Sequence, residues 1–326
     1  MLTGTLFALA AGLMWGLVFI GPLLLPDYPA TLQSFGRYLA FGLIALPLAW
    51  FDRKALAQLE RADWVEALKL ALVGNIVYYL FLASSIQRAG GPLPTMIIGT
   101  LPVVIAITAN LRTARAGMRV EAPLPWLRML PSLLLIGAGI ALVNQVELAH
   151  LRADPAADLS RYALGALLAV GAVVCWTWYP IRNAEWLRAH PGRSPRGWAT
   201  AQGLATLPLA LIGYALTWVW FTLSEAPFAM PFGPRPLVFI GLMLAIGLLA
   251  SWLGTLCWNE ASQRLPPALA GQLIVFETLA ALFYALVLRG DVPMAQTLLG
   301  VTLLVAGVLW ALHTRPAAVV ADAHPN

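Results

Sequence analysis

The 326-residue chain is poor in charge, with Asp, Glu, Lys and Arg making up 11% of it, against about 25% in a soluble globular protein. That shortage excludes an ordinary soluble enzyme, a disordered segment and a nucleic-acid-binding protein. Cysteine is scarce too. Cys175 and Cys257 both lie inside apolar runs, which implies neither a disulfide framework nor a metal site. The four histidines, His150, His190, His313 and His324, fall at run ends or in loops. No HExxH pattern, no GxxxxGK[ST] loop and no intramembrane Ser–His pair occurs. A zinc hydrolase, an ATP-driven motor and a nucleophilic enzyme therefore lack their chemistry, and no cofactor and no metal is expected. What is abundant is apolar surface: 60% of the residues are hydrophobic and the mean hydropathy is +0.78.

Apolar runs fall at about 3–25, 32–51, 66–87, 92–111, 128–147, 161–182, 198–222, 236–259, 267–288 and 294–313. Each is close to the roughly 20 residues that a bilayer-spanning helix needs. They are continuous and about twice as long as barrel strands, which would alternate. Lipid offers no partner for backbone groups, so helices remain. The expectation is an all-α membrane protein of ten transmembrane helices. The first run lacks a basic leader and reads as an uncleaved span. With the N-terminus inside, fourteen of the twenty Lys and Arg lie on the cytoplasmic side and five opposite, which predicts both termini in the cytoplasm. Much of the net charge of +5 is thus an orientation signal. Arg37, in the outer part of the second run, is counted with neither side and reads as snorkelling to the interface, although it could guide a carboxylate.

The chain repeats itself. Ala40–Ala49 matches Ala201–Ala210 at an offset of 161, which also superposes Trp15 on Trp176. Gln87-Arg88 matches Gln263-Arg264 at offset 176, and Gly139 matches Gly307 at offset 168. Five spans are an odd number, so a second copy enters the membrane the other way up, as in inverted-repeat transporters.

These features resemble the drug/metabolite transporter superfamily with tandem EamA-type repeats. The resemblance rests on Trp15 and Trp176, on Thr100-Leu101-Pro102-Val103 in the fourth span, and on Phe276-Glu277-Thr278-Leu279 in the ninth, which keeps an acid but lacks the proline. Gly290-Asp291 stands where that family usually has Gly-Glu, and Leu304–Val308 suits its Gly-rich last span. The likeness runs from about Leu6 to Leu312. It implies a first repeat over 1–150, a second, inverted repeat over 151–315 around a central cavity, and a cytoplasmic tail over 316–326. It also implies a multi-pass protein of the bacterial inner membrane. A narrower similarity to the bacterial aromatic amino acid exporter branch rests on Cys257-Trp258-Asn259-Glu260, on Gly171–Tyr179 and on Tyr78-Tyr79.

Glu277 lies about ten residues into its span, near the midplane, where an unpaired carboxylate costs at least a few kcal/mol. It could accept a substrate ammonium group, carry a proton, or hold a neighbouring helix. Trp15, Tyr78, Tyr79, Trp176, Trp252 and Trp258 lie within spans; Trp15, Tyr78 and Tyr79 are near mid-span, away from the interfacial belt that suits Trp50, Trp64, Trp126, Trp186 and Trp198. Rings in a cavity would stack on a flat apolar solute or face a cation. Asn75 shares a helix face with Tyr78 and Tyr79, as do Trp252 and Asn259. These faces suit a pocket with few polar anchors, and equally interhelical hydrogen bonds. Gln272 is roughly cofacial with Glu277, and Thr100 precedes the helix-breaking Pro102. Gly137, Gly139, Gly300 and Gly307 permit close helix packing or a homodimer face. The expected function is a secondary transporter, working by alternating access and exporting a small amphipathic metabolite, foremost an aromatic or large apolar amino acid. A drug or organic-cation exporter on the same fold is the alternative. A membrane-embedded enzyme or scaffold is a third reading from another class. The expected partners are a small-molecule substrate and the lipid bilayer.

Overall fold

A computed structural model describes residues 2–89, 94, 97–115, 125–152, 159–224, 228–290 and 294–313. Every regular element among them is helical. The first half comprises α1 (Leu2–Gly16), a 3₁₀ turn (Leu17–Phe19), α2 (Ile20–Leu24), α3 (Ala30–Leu56), α4 (Arg61–Leu70), a π-helical segment (Ala71–Val77), α5 (Tyr78–Ala89), α6 (Leu101–Arg115) and α7 (Trp126–Arg152). The second comprises α8 (Leu159–Ala189), α9 (Pro195–Leu223), α10 (Pro236–Ile246), a second π segment (Gly247–Leu253), α11 (Gly254–Arg264), α12 (Pro267–Leu273), α13 (Val275–Arg289) and α14 (Ala295–His313). Joined where they run on, these give seven apolar helices of 20–30 residues, long enough to cross a membrane, from Leu2–Leu24 to Leu269–Leu288. The other three of the ten expected spans correspond to α6, α7 and α14, in which the apolar stretches Leu101–Arg112, Trp126–Leu142 and Ala295–Gly307 are described. The fourth expected run, 92–111, is only partly described, and its helix α6 starts after a turn at Gly99 and Thr100.

Local sequence sets the boundaries. Glu60 and Asp63 form a reciprocal capping box at the start of α4, satisfying two otherwise orphaned amides. Ser194 Oγ accepts from Gly197 N at 3.1 Å ahead of Pro195 at the first turn of α9. Gly290 closes α13 with φ of 69°, a left-handed cap open to glycine. Its neighbour Asp291 and the tail over 316–326 lie outside the described residues.

Lipid is as apolar as leucine, so helices in it associate through close packing and polar contacts. α3 and α9 run antiparallel, with Phe35 against Gly213 and Ala55 against Gly197. At their crossing Gly42 meets Leu207, while Gly203 meets Ala45 and Phe41. α7 and α14 cross in the same reciprocal way: Gly139 lies on Gly300 and Leu304, and Gly307 on Ser132 and Ile136. Gly139 and Gly307 are therefore covered within the chain, whereas a Cβ on Gly137 would meet nothing within 4 Å. The two π segments are each seven residues long and open at Ala71 and Gly247, 176 positions apart. That is the offset of the Gln-Arg pairs.

Candidate functional site

An aromatic box fills the middle of the bundle. Trp176 on α8 lies between the faces of Tyr78 (ring centroids 4.5 Å apart) and Tyr179 (5.0 Å). Trp15 on α1 meets Trp176 edge-on at 5.0 Å and leans on Trp258 at 5.3 Å. All five rings are buried. Two glycines leave room for them: a Cβ on Gly74 would lie 2.1 Å from Tyr179 Cδ2, and one on Gly254 2.7 Å from Trp15 Nε1. Gly74 lies within the first π segment and Gly254 opens α11 directly after the second, where π geometry has re-aimed the helix face.

Glu277 reaches the box from α13. Its Oε2 accepts from Trp176 Nε1 at 3.1 Å, and its Oε1 has no partner, although the residue is 2% exposed. Within the apolar helix Leu269–Leu288 a single-residue turn at Ile274 separates α12 from α13 and places Glu277 in the first turn of α13. A helix N-terminus favours a carboxylate there. Further unpartnered polar atoms are Tyr78 OH, Trp258 Nε1 and both amide atoms of Gln272. Buried polar groups are ordinarily satisfied, so each of these needs a reason. Tyr79 OH instead donates to Val18 O at 3.1 Å, a carbonyl in the 3₁₀ turn between α1 and α2.

Arg37 corrects the sequence reading. It does not snorkel: it is 3% exposed, donates from Nε to Ser251 Oγ at 3.0 Å, and lies over the rings of Tyr38 and Tyr79 at 4.7 and 4.6 Å. Seven residues into α3 it is roughly 10 Å from the helix start, and the second π segment offers it a hydroxyl.

The polar members of the predicted set divide. Asn75 donates to Thr206 Oγ1 at 3.1 Å, Trp252 Nε1 to Thr200 Oγ1 at 3.2 Å, and Asn259 Nδ2 to Pro195 O at 3.0 Å. These are interhelical bonds to α9. Thr100 closes its own turn, donating to Ile97 O at 2.7 Å. Asn183, which the sequence reading passed over, joins Asn259, Trp198 and Gln202. Trp186 and Trp198, expected at the interface, are buried and stacked 3.5 Å apart. Trp186 Nε1 donates to Asp63 at 3.0 Å, so the hydrogen-bonding tip of each ring finds protein rather than headgroups. By contrast Trp50 and Trp126 are exposed, as expected of a belt. Ion pairs from Arg182 to Glu66 and Glu185, and from Arg196 to Asp52, complete this polar end. A cleft of about 660 Å³ opens beside it, lined by Glu60, Asp63, Glu66, Arg182, His190 and Arg193. Tyr179 is the box residue missed; its i+3 spacing from Trp176 was the available signal.

Long apolar helices enclosing so buried a polar site define a multi-pass membrane protein. Residues 2–116 match the EamA-like transporter family. Over 316 residues the chain is 54% identical to "Inner membrane protein YtfF" of Escherichia coli (strain K12), covering 97% of each. A solved crystal structure, 18% identical, superposes with a TM-score of 0.68 over 94% of this chain and 96% of the other, which shows a shared fold. The chain belongs to the EamA-type transporters of the drug/metabolite superfamily.

Proposed function

We propose that the chain is a secondary transporter of the inner membrane that exports small amphipathic metabolites, foremost aromatic or large apolar amino acids, by alternating access. The observation that carries this reading is Glu277, held by Trp176 inside five buried rings with one carboxylate oxygen unpartnered. A carboxylate takes an ammonium group and the rings take a flat apolar body. Trp15, Tyr78, Tyr79, Trp176, Trp258, Gln272 and Glu277 would line the path. Asn75, Thr100, Trp252 and Asn259 would hold the helices around it.

Ten helices in two inverted five-helix repeats, over 1–150 and 151–315, with both termini cytoplasmic, complete the proposal. Three features support the repeat: the π segments 176 positions apart, the reciprocal glycine crossings of α3 with α9 and of α7 with α14, and the breaks before α6 and α13. Reciprocal contacts of this kind are what a two-fold axis generates.

The test is flux from vesicles reconstituted with purified protein and loaded with labelled Phe, Tyr or Trp, beside a quaternary aromatic cation. Amino acid efflux above protein-free vesicles is expected. Movement of the cation alone would replace this substrate choice with the drug-exporter reading.

A further inference from the structure

We propose that Arg37, steered by Ser251, is a carboxylate subsite, so that the transported solute must carry an anionic and a cationic group together. The inference rests on the transporter reading above and adds the anionic half of the recognition.

Arg37 presents five N–H donors in a rigid fork. Nε is satisfied by Ser251 Oγ at 3.0 Å, whereas Nη1 is buried with no partner at all. Among the described residues no carboxylate pairs with it. The flanking faces of Tyr38 and Tyr79 offset part of the cost of burying the charge. They leave Nη1, which lies in the plane of the guanidinium, unmatched, and an in-plane guanidinium edge is what fits a carboxylate bidentately. One turn back on α3, Ser34 Oγ is also fully buried without a partner, and i to i+3 spacing puts it on the same face. A hydroxyl and a guanidinium edge, both unsatisfied, complement an anion.

The placement is specific. Asn75 and Ser251 are 176 positions apart, one in each π segment, and each bonds across to α9 or α3, Asn75 to Thr206 and Ser251 to Arg37. Along the first helix, a Cβ on Gly12 would lie 3.0 Å from Glu277 N, while Val18 and Gly21 meet the Tyr79 hydroxyl that neighbours Arg37. Arg37 therefore sits about two turns further toward Leu24 than Glu277. An α-amino acid would span the two with its carboxylate toward Arg37, its ammonium toward Glu277 and its side chain among the rings. A simple cation would meet the uncompensated Arg37 charge, and a dianion that of Glu277.

The test uses vesicles containing the full chain and counterflow of labelled phenylalanine, competed by unlabelled phenylalanine, by phenethylamine (no carboxylate) and by phenylpropionate (no ammonium). Phenylalanine is expected to compete at least 30-fold better than either fragment. In Arg37→Gln, phenylalanine should weaken by at least 30-fold while phenethylamine holds or strengthens. Ser251→Ala should show the same pattern at about 3–10-fold, and decides the matter if Arg37→Gln does not fold. Phenethylamine competing as well as phenylalanine in the wild type, or both weakening alike in either variant, would overturn the carboxylate subsite and leave the transporter reading standing. Vesicles that exchange neither phenylalanine nor phenethylamine would overturn both.

Discussion

Replacing Glu277 by Gln separates a working residue from a structural one. Gln has nearly the same shape and keeps an oxygen to accept from Trp176 Nε1, now 3.1 Å from Oε2, but it cannot carry charge. Weakening that bond from charge-assisted to neutral costs about 1 kcal/mol. Against it stands the relief of withdrawing a carboxylate from a site 2% exposed with one oxygen unpartnered, where the effective penalty of a buried ion is several kcal/mol. The thermal midpoint of the purified variant should therefore hold or rise. Transport should not survive: truncating one member of a desolvated charge pair costs about 2–5 kcal/mol, which is roughly 30- to 4,000-fold at 1.4 kcal/mol per decade. The assay is a thermal unfolding curve in detergent beside amino acid flux in vesicles. A midpoint several degrees lower, with flux falling only as far as the folded fraction falls, would mean that Glu277 is a helix–helix strut and that the reasoning is wrong.

The glycine that seats the box is open to a controlled comparison. Gly74→Ala would place a Cβ 2.1 Å from the Tyr179 ring, whereas Gly137→Ala meets nothing within 4 Å. Overpacking costs about 1–3 kcal/mol, so the first should lower the thermal midpoint and the second should leave it unchanged; equal midpoints would refute the packing account. The orientation is checked by impermeant thiol labelling of single cysteines placed at residues 3 and 320 in intact cells. Both should stay unlabelled until the membrane is opened, and labelling of one alone would refute the arrangement with both termini inside.

Much of the site was legible because charge and large rings are out of place in the middle of an apolar run. Trp15, Tyr78 and Glu277 stand out on that ground, Trp176 and Trp258 through the family resemblance, and the structure brings them together. Arg37 was misjudged because depth counted from the edge of a run says nothing about which neighbour waits there. Ser251 looks like one small residue among many until a π turn aims it at α3. Trp186 and Trp198 were assigned to the interface by their distance from the run ends, and the partner that buries each is the other, a tertiary fact. Hydropathy reads the apolar run through Gln272 and Glu277 as one smooth helix and does not register the turn at Ile274. Which helices pair was hidden as well, since apolar helices differ too little in composition to name their neighbours.

The two kinds of helix contact have opposite tolerance for being pulled apart. Where Asn183 meets Asn259 and Trp186 meets Asp63, every parted donor and acceptor can be taken over by water, so separation exchanges one hydrogen bond for another at little net cost. Where Gly139 lies on Gly300 and Gly307 on Ser132, no solvent molecule replaces what is lost, and a gap forfeits its dispersion outright. The bundle thus has a wettable seam at the end held by Asp63 and Asn183 and a dry weld along α7 and α14, and strain applied to it would be released at the seam first.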